Sequence, residues 1–288
     1  MSLLAAFIED GLDSSISGAL NNVRKEVFIA IRTDGASGLG TIDDPYNGST
    51  HILLDELLSS NKITTMMTLR FGPGIFQTKG NGGGNFGFAP RSGQRFIGAG
   101  MYQTTLQLVH AAPELEDRAG GPGPIGSGVE ISDLEIMDLT LDANTARQPR
   151  DEQGCPARIE CRGAGFSTGL RIRLKRVRII NWGTLTPMTI NGATVPAVNT
   201  RECFPIFIKT GADTTAAGEN IVEDCVLEQP DHSQARESTM IQNNSGSPRL
   251  YSTTRQNYLK RRSGDWIRIS GARGTGSKRV REERSLAT

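Results

Sequence analysis

One apolar spacing recurs three times in the middle of this chain and constrains the fold more than any other feature. It reads apolar, two free positions, apolar, one free position, apolar. The copies are Ile136, Leu139 and Leu141 in IMDLTLD, Leu174, Val177 and Ile179 in LKRVRII, and Val222, Cys225 and Leu227 in VEDCVLE. The extra residue between the first two apolar positions breaks the alternation of a single strand, as a corner between two strands does. Corners of this kind stack, each burying its apolar row against the next, and that is the logic of a solenoid. The copies begin 38 and then 48 residues apart, so further strands are expected between them. ARIEC (157–161) and FPIFIKT (204–210) fit that need, and ARIECRG followed by GLRIRLKRVRII is mirrored by FPIFIKTG followed by GENIVEDCVLEQ. Uneven loops between regular strands are expected when insertions emerge on one face.

Composition agrees with a thin, repeated core. The 288 residues include 34 glycines, only 6% are aromatic and 36% are hydrophobic, which favours many tight turns over large aromatic clusters. The net charge of +1 hides an asymmetry: 11 Lys and Arg and 3 Asp and Glu lie from Arg249 onward, leaving 21 and 28 before it. A basic end can serve as a polyanion arm, but no aromatic-interleaved basic motif accompanies it, so no nucleic-acid partner is expected. Four cysteines (Cys155, Cys161, Cys203, Cys225) match neither zinc nor CxxC spacing. Cys225 fills an apolar slot and reads as a small buried side chain. A Cys155–Cys161 disulfide stays open, and with it the redox compartment. The start, MSLLAAFIEDGLDSS, has no basic n-region and is not read as a secretory signal. No run approaches the roughly 18 apolar residues that cross a bilayer.

Three regions are expected. Residues 1–26 read as a helical leader or cap, with Leu3, Leu4, Phe7, Ile8, Leu12 and Ile16 at helical spacing; such a segment could cover the open end of a solenoid. Residues 27–242 form the coil. VFIAI reads as its first strand, and STHILLDELLSS as a helix capped by Ser49 or Thr50 with Ile52, Leu53, Leu57 and Leu58 on one side. MMTLRFGPGIFQT reads as strand, turn, strand, and QRFIGAG and TTLQLV as strands joined by a turn at Met101–Gln103. GNGGGNFG and residues 111–127 read as loops; the glycine loops lack the Lys-Ser/Thr ending of a phosphate loop. Residues 243–288 show little periodicity and read as an irregular basic tail, disordered or not native, an expectation that leaves open a truncated or frame-shifted product.

Several segments together resemble the pectate-lyase-like superfamily of right-handed parallel β-helices. They are DGASGLGTIDDPY followed by a helix, FGPGIFQT, and the strand pair around Ile97, Gly98, Gly100, Thr105 and Leu106, besides the strand-corner-strand repeats. The resemblance covers about residues 28–242 and implies an all-β, single-stranded right-handed parallel β-helix with a short N-terminal helical cap. It includes polysaccharide lyases, polygalacturonase-like hydrolases, phage tailspikes and members without catalysis, so it implies a polysaccharide partner. A homotrimer follows if the chain is tailspike-like, and an extracellular or virion-surface location is the family's, although no signal peptide is read here. Fold alone does not choose among these activities.

Candidate chemistry concentrates in EQPDHSQARES. β-Elimination from a uronic-acid polymer needs a base and positive charge to stabilise an enolate-like state; hydrolysis needs paired carboxyl groups. Asp231, His232, Arg236 and Glu237 supply such groups as catalytic candidates, with Glu228 as a substrate contact. His232 is a candidate because an unperturbed imidazole changes charge near neutrality, and Arg236 suits a carboxylate or a base role. Against this stands an exposed polar loop with local salt bridges. Asp138 and Asp142, with Asp151 and Glu152 downstream, are candidates for Ca²⁺, weighed against ordinary turn chemistry. The corner residues Asp138, Arg176 and Asp224 are expected to pair if their coils are adjacent. Trp182 in INWG could stack on a sugar or cover a coil edge. The leading expectation is a carbohydrate-active β-helix that binds or cleaves a polysaccharide along the solenoid; the alternative is a non-catalytic carbohydrate-binding or tail-component β-helix.

Overall fold

The computed structural model describes residues 24–79, 88–109, 123–144, 164–182, 188–190, 193–195, 205–209, 218–228, 241–244, 250–255 and 258–260. In chain order the elements begin with β1 (Glu26–Ala30), β2 (Tyr46–Asn47), helix α1 (His51–Ser59), β3 (Thr68–Phe71), β4 (Gly74–Thr78), β5 (Arg95–Gly98) and β6 (Thr104–Leu108). They continue with β7 (Ile125–Ser132), β8 (Glu135–Asp142), β9 (Ala164–Leu170), β10 (Arg173–Ile180), a short antiparallel pair β11 (Met188–Ile190) and β12 (Ala193–Val195), and β13 (Ile206–Lys209). The last are β14 (Gly218–Glu223), β15 (Val226–Glu228), β16 (Ile241–Asn244), β17 (Leu250–Arg255) and β18 (Tyr258–Lys260).

Every pairing among these strands except β11–β12 is parallel, and each strand lies beside its counterpart from the next turn of the chain. The result is a parallel β-helix, right-handed as parallel crossovers are. Its coils are β1, β3–β4, Phe88 with β5–β6, β7–β8, β9–β10, β13–β14–β15 and β16–β17–β18, numbered here 1 to 7. Each full coil has three legs. The first leg runs β1, β3, β5, the front of β8, the front of β10, β14 and β17. The second leg runs β4, β6, the back of β8, the back of β10, β15 and β18. The third leg is β7, β9, β13 and β16, extended by the Phe88–Ile125 bridge.

The apolar triplets form columns, as their spacing requires. Leu139 is the register partner of Val177, Leu174 is flanked by Ile136 and Val222, and Ile179 by Leu141 and Leu227. All are buried in one continuous core. At the corner between the first and second legs, Asp138, Arg176 and Asp224 adopt φ of 58°, 51° and 54°. A second such column opens the first leg, at Met66, Gly93, Asp133 and Arg171 (φ 59°, 76°, 59° and 55°). One left-handed residue turns the chain sharply, and Gly, Asp and Asn tolerate it best.

Cys225 closes the middle column. It is fully buried, and burial pushes its thiol up to about 12. The unfolded thiol ionises near 8.5, so above that pH the unfolded state releases a proton that the folded state keeps, and stability falls with rising pH. The native protein is expected to leave Cys225 unmodified by iodoacetamide at pH 8 while denatured protein reacts within minutes, as peptide mass mapping would read; equal labelling of the two would contradict its burial.

Charge is arranged by coil. Between 133 and 142 all four charged residues are acidic; between 171 and 178 all five are basic; between 219 and 228 all four are acidic. Stacking coils 4, 5 and 6 therefore pairs Arg171 with Asp133, Arg173 with Glu135, Arg176 with Asp138, Lys175 with Glu223 and Arg178 with Glu228. The Asp138–Arg176 contact is bidentate at 2.5 and 2.7 Å, and Asp224 adds its charge on the other side. Each exposed pair stabilises by only about 0.2–1 kcal/mol. Together they disfavour a slipped register, which would set like charges side by side.

Several expectations need correction. The strand beside FPIFIKT is β9, AGFSTGL, with Ile206 opposite Ala164 and Ile208 opposite Phe166; ARIEC lies outside the described residues. The region read as a loop to residue 127 already carries β7 from Ile125. Helix α1 begins as expected, the Thr50 hydroxyl accepting from the Leu53 N–H, but it buries Leu54, Leu57 and Leu58 and leaves Ile52 and Leu53 outside. Asp55 decides this: it accepts from the Thr78 hydroxyl (2.6 Å) and the Lys79 N–H (2.8 Å), fixing the rotation of the helix against β4. The ladder also continues past residue 243. Glu223 is opposite Arg255, Val226 opposite Tyr258 and Glu228 opposite Lys260, so the start of the basic segment stands in register with an acidic coil. The expected leader, residues 1–23, lies outside the described residues. Among the described residues no helix is long and apolar enough to cross a membrane.

Candidate functional site

The connections between Leu108 and Ile125, Asp142 and Ala164, Ile180 and Ile206, and Glu228 and Ile241 all leave from the end of the second leg. The outward positions of the second leg are the described surface from which these connections depart.

Two rows occupy it. The outer row begins at the exposed Gln77, whose Nε2 donates to Gln107 Oε1 (2.9 Å). Gln107 Nε2 in turn donates to Asp142 Oδ2 (2.8 Å), and Asp142 Oδ1 accepts from Asn181 Nδ2 (2.9 Å) and the Asn144 N–H (2.8 Å). A hydrogen-bonded polar ladder thus spans coils 2 to 5. The inner row is Ile75, Thr105, Thr140, Arg178 and Val226. Arg178 meets Glu228 through Nε at 3.0 Å and Nη2 at 3.1 Å. That bidentate bond raises the guanidinium further above its ordinary value, with nearby Tyr102 and Asp142 adding to it.

A loop brings an aromatic ring into this surface. Residues 99–103 leave coil 3 at Gly98 and return at Thr104, whose hydroxyl donates to the Gly72 carbonyl (2.8 Å) and accepts from the Ala99 N–H (2.9 Å). The loop folds over coil 4, where the Thr140 hydroxyl donates to the Met101 carbonyl (2.5 Å) and is buried by it. Tyr102 reaches coil 5, its ring centroid 5.2 Å from the Arg178 guanidinium carbon. One ring face rests on the cation, and the residue is 72% exposed.

The sequence candidates fall into three groups. Glu228 lies on this surface. Trp182 is fully buried in the core, so its ring covers the coil interior rather than offering a face to a sugar. Its Nε1 meets no acceptor among the described residues. Asp138 and Asp142 do not fit a Ca²⁺ cage: both Asp138 oxygens accept from Arg176, and both Asp142 oxygens accept from amide N–H groups. Among the described residues no three His, Cys, Asp or Glu side chains converge. Asp231, His232, Arg236 and Glu237, and with them Asp151 and Glu152, lie outside the described residues. Tyr102, Gln107 and Arg178 were not anticipated. Aligning the coils at their 38-residue offset would have placed Arg178 above Thr140, but nothing in IGAGMYQTTL signals that the loop reaches two coils away.

No family model matches the chain, and no curated protein matches it. Among solved structures it is similar to the pectin methylesterase PemA from Erwinia chrysanthemi, with 12% identity and a TM-score of 0.40 over 81% of this chain and 56% of that one. A pectin methylesterase in complex with a hexasaccharide gives 11% identity and a TM-score of 0.41 over 81% and 56%. The A-module of the mannuronan C-5 epimerase AlgE4 from Azotobacter vinelandii gives 13% and 0.38 over 80% and 76%. The chain spans little more than half the length of the pectin methylesterases. The parallel β-helix assigned above rests on its own strand register.

Proposed function

We propose that this chain binds a polysaccharide laid across successive coils on the outer face of the second leg. The observation that carries the reading is the exposed Tyr102 ring, fixed over the Arg178–Glu228 pair and beside the ladder of Gln77, Gln107, Asp142 and Asn181. The apolar C–H face of a pyranose stacks on such a ring, and the side-chain amides of Gln77, Gln107 and Asn181, carried on rungs about 4.8 Å apart, offer hydroxyls partners. A long polymer gains from a series of weak contacts through effective concentration.

A second reading, that the chain also cleaves its polymer, is favoured by where residues 229–240 begin: Asp231, His232, Arg236 and Glu237 follow Glu228 directly, at the end of this same face. Incubation with a panel of polysaccharides tests both. Retention by affinity electrophoresis reports binding, ultraviolet absorbance of unsaturated products reports a lyase, and new reducing ends without that absorbance report a hydrolase. Tyr102→Ala is expected to weaken retention at least ~10-fold, about 1.4 kcal/mol, with its unfolding transition unchanged. Arg236→Ala is expected to abolish any cleavage; full turnover in that variant removes Arg236 from the chemistry.

A further inference from the structure

The charges of the coil exterior bear on which polymer this face accepts, an inference that rests on the binding role proposed above. Each cation carried by the strands of coils 2 to 5 already meets a carboxylate of a neighbouring coil, from Arg70 with Glu26 and Arg95 with Glu135 to the five basic residues of coil 5. On the second leg itself, Arg178 gives its Nε and Nη2 edge to Glu228, and Tyr102 covers one face of the guanidinium. That edge is one of the two through which a guanidinium receives a carboxylate in fork-to-fork geometry. The remaining groups of the ladder are amides, and its acid, Asp142, is engaged by amide donors. A polyanion would therefore meet two carboxylates and a guanidinium already engaged, whereas uncharged hydroxyls and ring C–H faces meet amides and an exposed aromatic ring.

We infer that the ligand of this face is an uncharged glycan rather than a polyuronate. In ligand terms, the Arg178–Glu228 pair acts as an internal salt bridge that excludes acidic sugars, specificity achieved by leaving the wrong ligand without a partner. Full-length protein run through gels containing a glucan, a mannan, a galactan, polygalacturonate or alginate gives the test. Retention by at least one neutral polymer is expected, changing less than twofold between 50 and 500 mM NaCl, with polyuronates at least tenfold weaker. Tighter retention by a polyuronate would overturn the inference while leaving polysaccharide binding intact; no retention by any polymer would overturn the binding role itself. Glu228→Gln supplies an independent arm. Releasing the Arg178 fork should raise polyuronate retention several-fold in a salt-sensitive way, and an unchanged polyuronate retention would show that the pair does not set specificity.

Discussion

Replacing Val177 with aspartate is expected to abolish the folded coil at neutral pH. Val177 is fully buried, with Leu139 opposite it in one neighbouring coil and Cys225 completing the column in the other. A carboxyl placed there is flanked in its column by Leu139 and the neutral Cys225 thiol, and an unpartnered buried charge costs several kcal/mol, out of a total stability of roughly 5–15 kcal/mol. Cys225 already reports how this column treats charge, since burial holds its thiol up to about 12. Val177→Ala is the control. It removes two methyl groups at about 0.8 kcal/mol each, plus a cavity term, and should remain folded with a lower denaturant midpoint. The sign with pH is fixed by the same desolvation: burial raises the introduced carboxyl's pKa, so its penalty is largest at pH 7 and shrinks as pH falls toward the unfolded value near 4. Circular dichroism of both variants across denaturant at pH 7 and pH 4.5 reads this. An aspartate variant within about 1 kcal/mol of the alanine variant at pH 7 would mean that position 177 does not face the interior.

That column was legible in the sequence because stacked parallel strands demand aliphatics at each inward position, and a corner shifts their phase by one residue. Where the demand relaxes, legibility goes with it. In coil 7 the register places Thr254 opposite Val222 and Leu259 opposite Leu227, so the first slot of the apolar triplet is polar although the backbone ladder continues. In β9, AGFSTGL holds Gly169 where a strand would show a large apolar residue. An added Cβ at Gly169 would lie 2.8 Å from Ile172 and 3.1 Å from Ile208, so the small residue is itself the packing solution. Trp182 fails differently: INWG looks like a solvent-facing turn, and only the path of the chain shows that its indole turns inward. The candidate site was half visible. Glu228 and Asp142 stand out as charged residues after strands, but Tyr102 becomes relevant only through a loop that crosses one coil to reach another, a relation without a sequence period.

The loop makes Gly98 a sensitive position outside the core. A Cβ there would lie 2.3 Å from the Asp138 carbonyl oxygen, 2.8 Å from Leu139 Cβ and 2.9 Å from Thr104 Cβ. The first of these is backbone, at the left-handed corner that also presents Asp138 to Arg176, so no rotamer change relieves the contact. Gly98→Ala must push the end of β5 away from β8, and overpacking of this kind costs roughly 1–3 kcal/mol. It should also shift residues 99–103, loosening the Thr140–Met101 bond that holds the loop down and carrying Tyr102 off Arg178. Gly100→Ala is the contrast within the same loop: its added methyl would meet only the Gln103 side chain, at 3.5 Å, and should change stability by less than about 0.5 kcal/mol. Denaturant midpoints, read together with polymer retention, separate the two. Gly98→Ala should lose both stability and binding, whereas Gly100→Ala should keep both. If the two variants behave alike, the loop does not depend on the close approach of coils 3 and 4, and Tyr102 is not positioned by it.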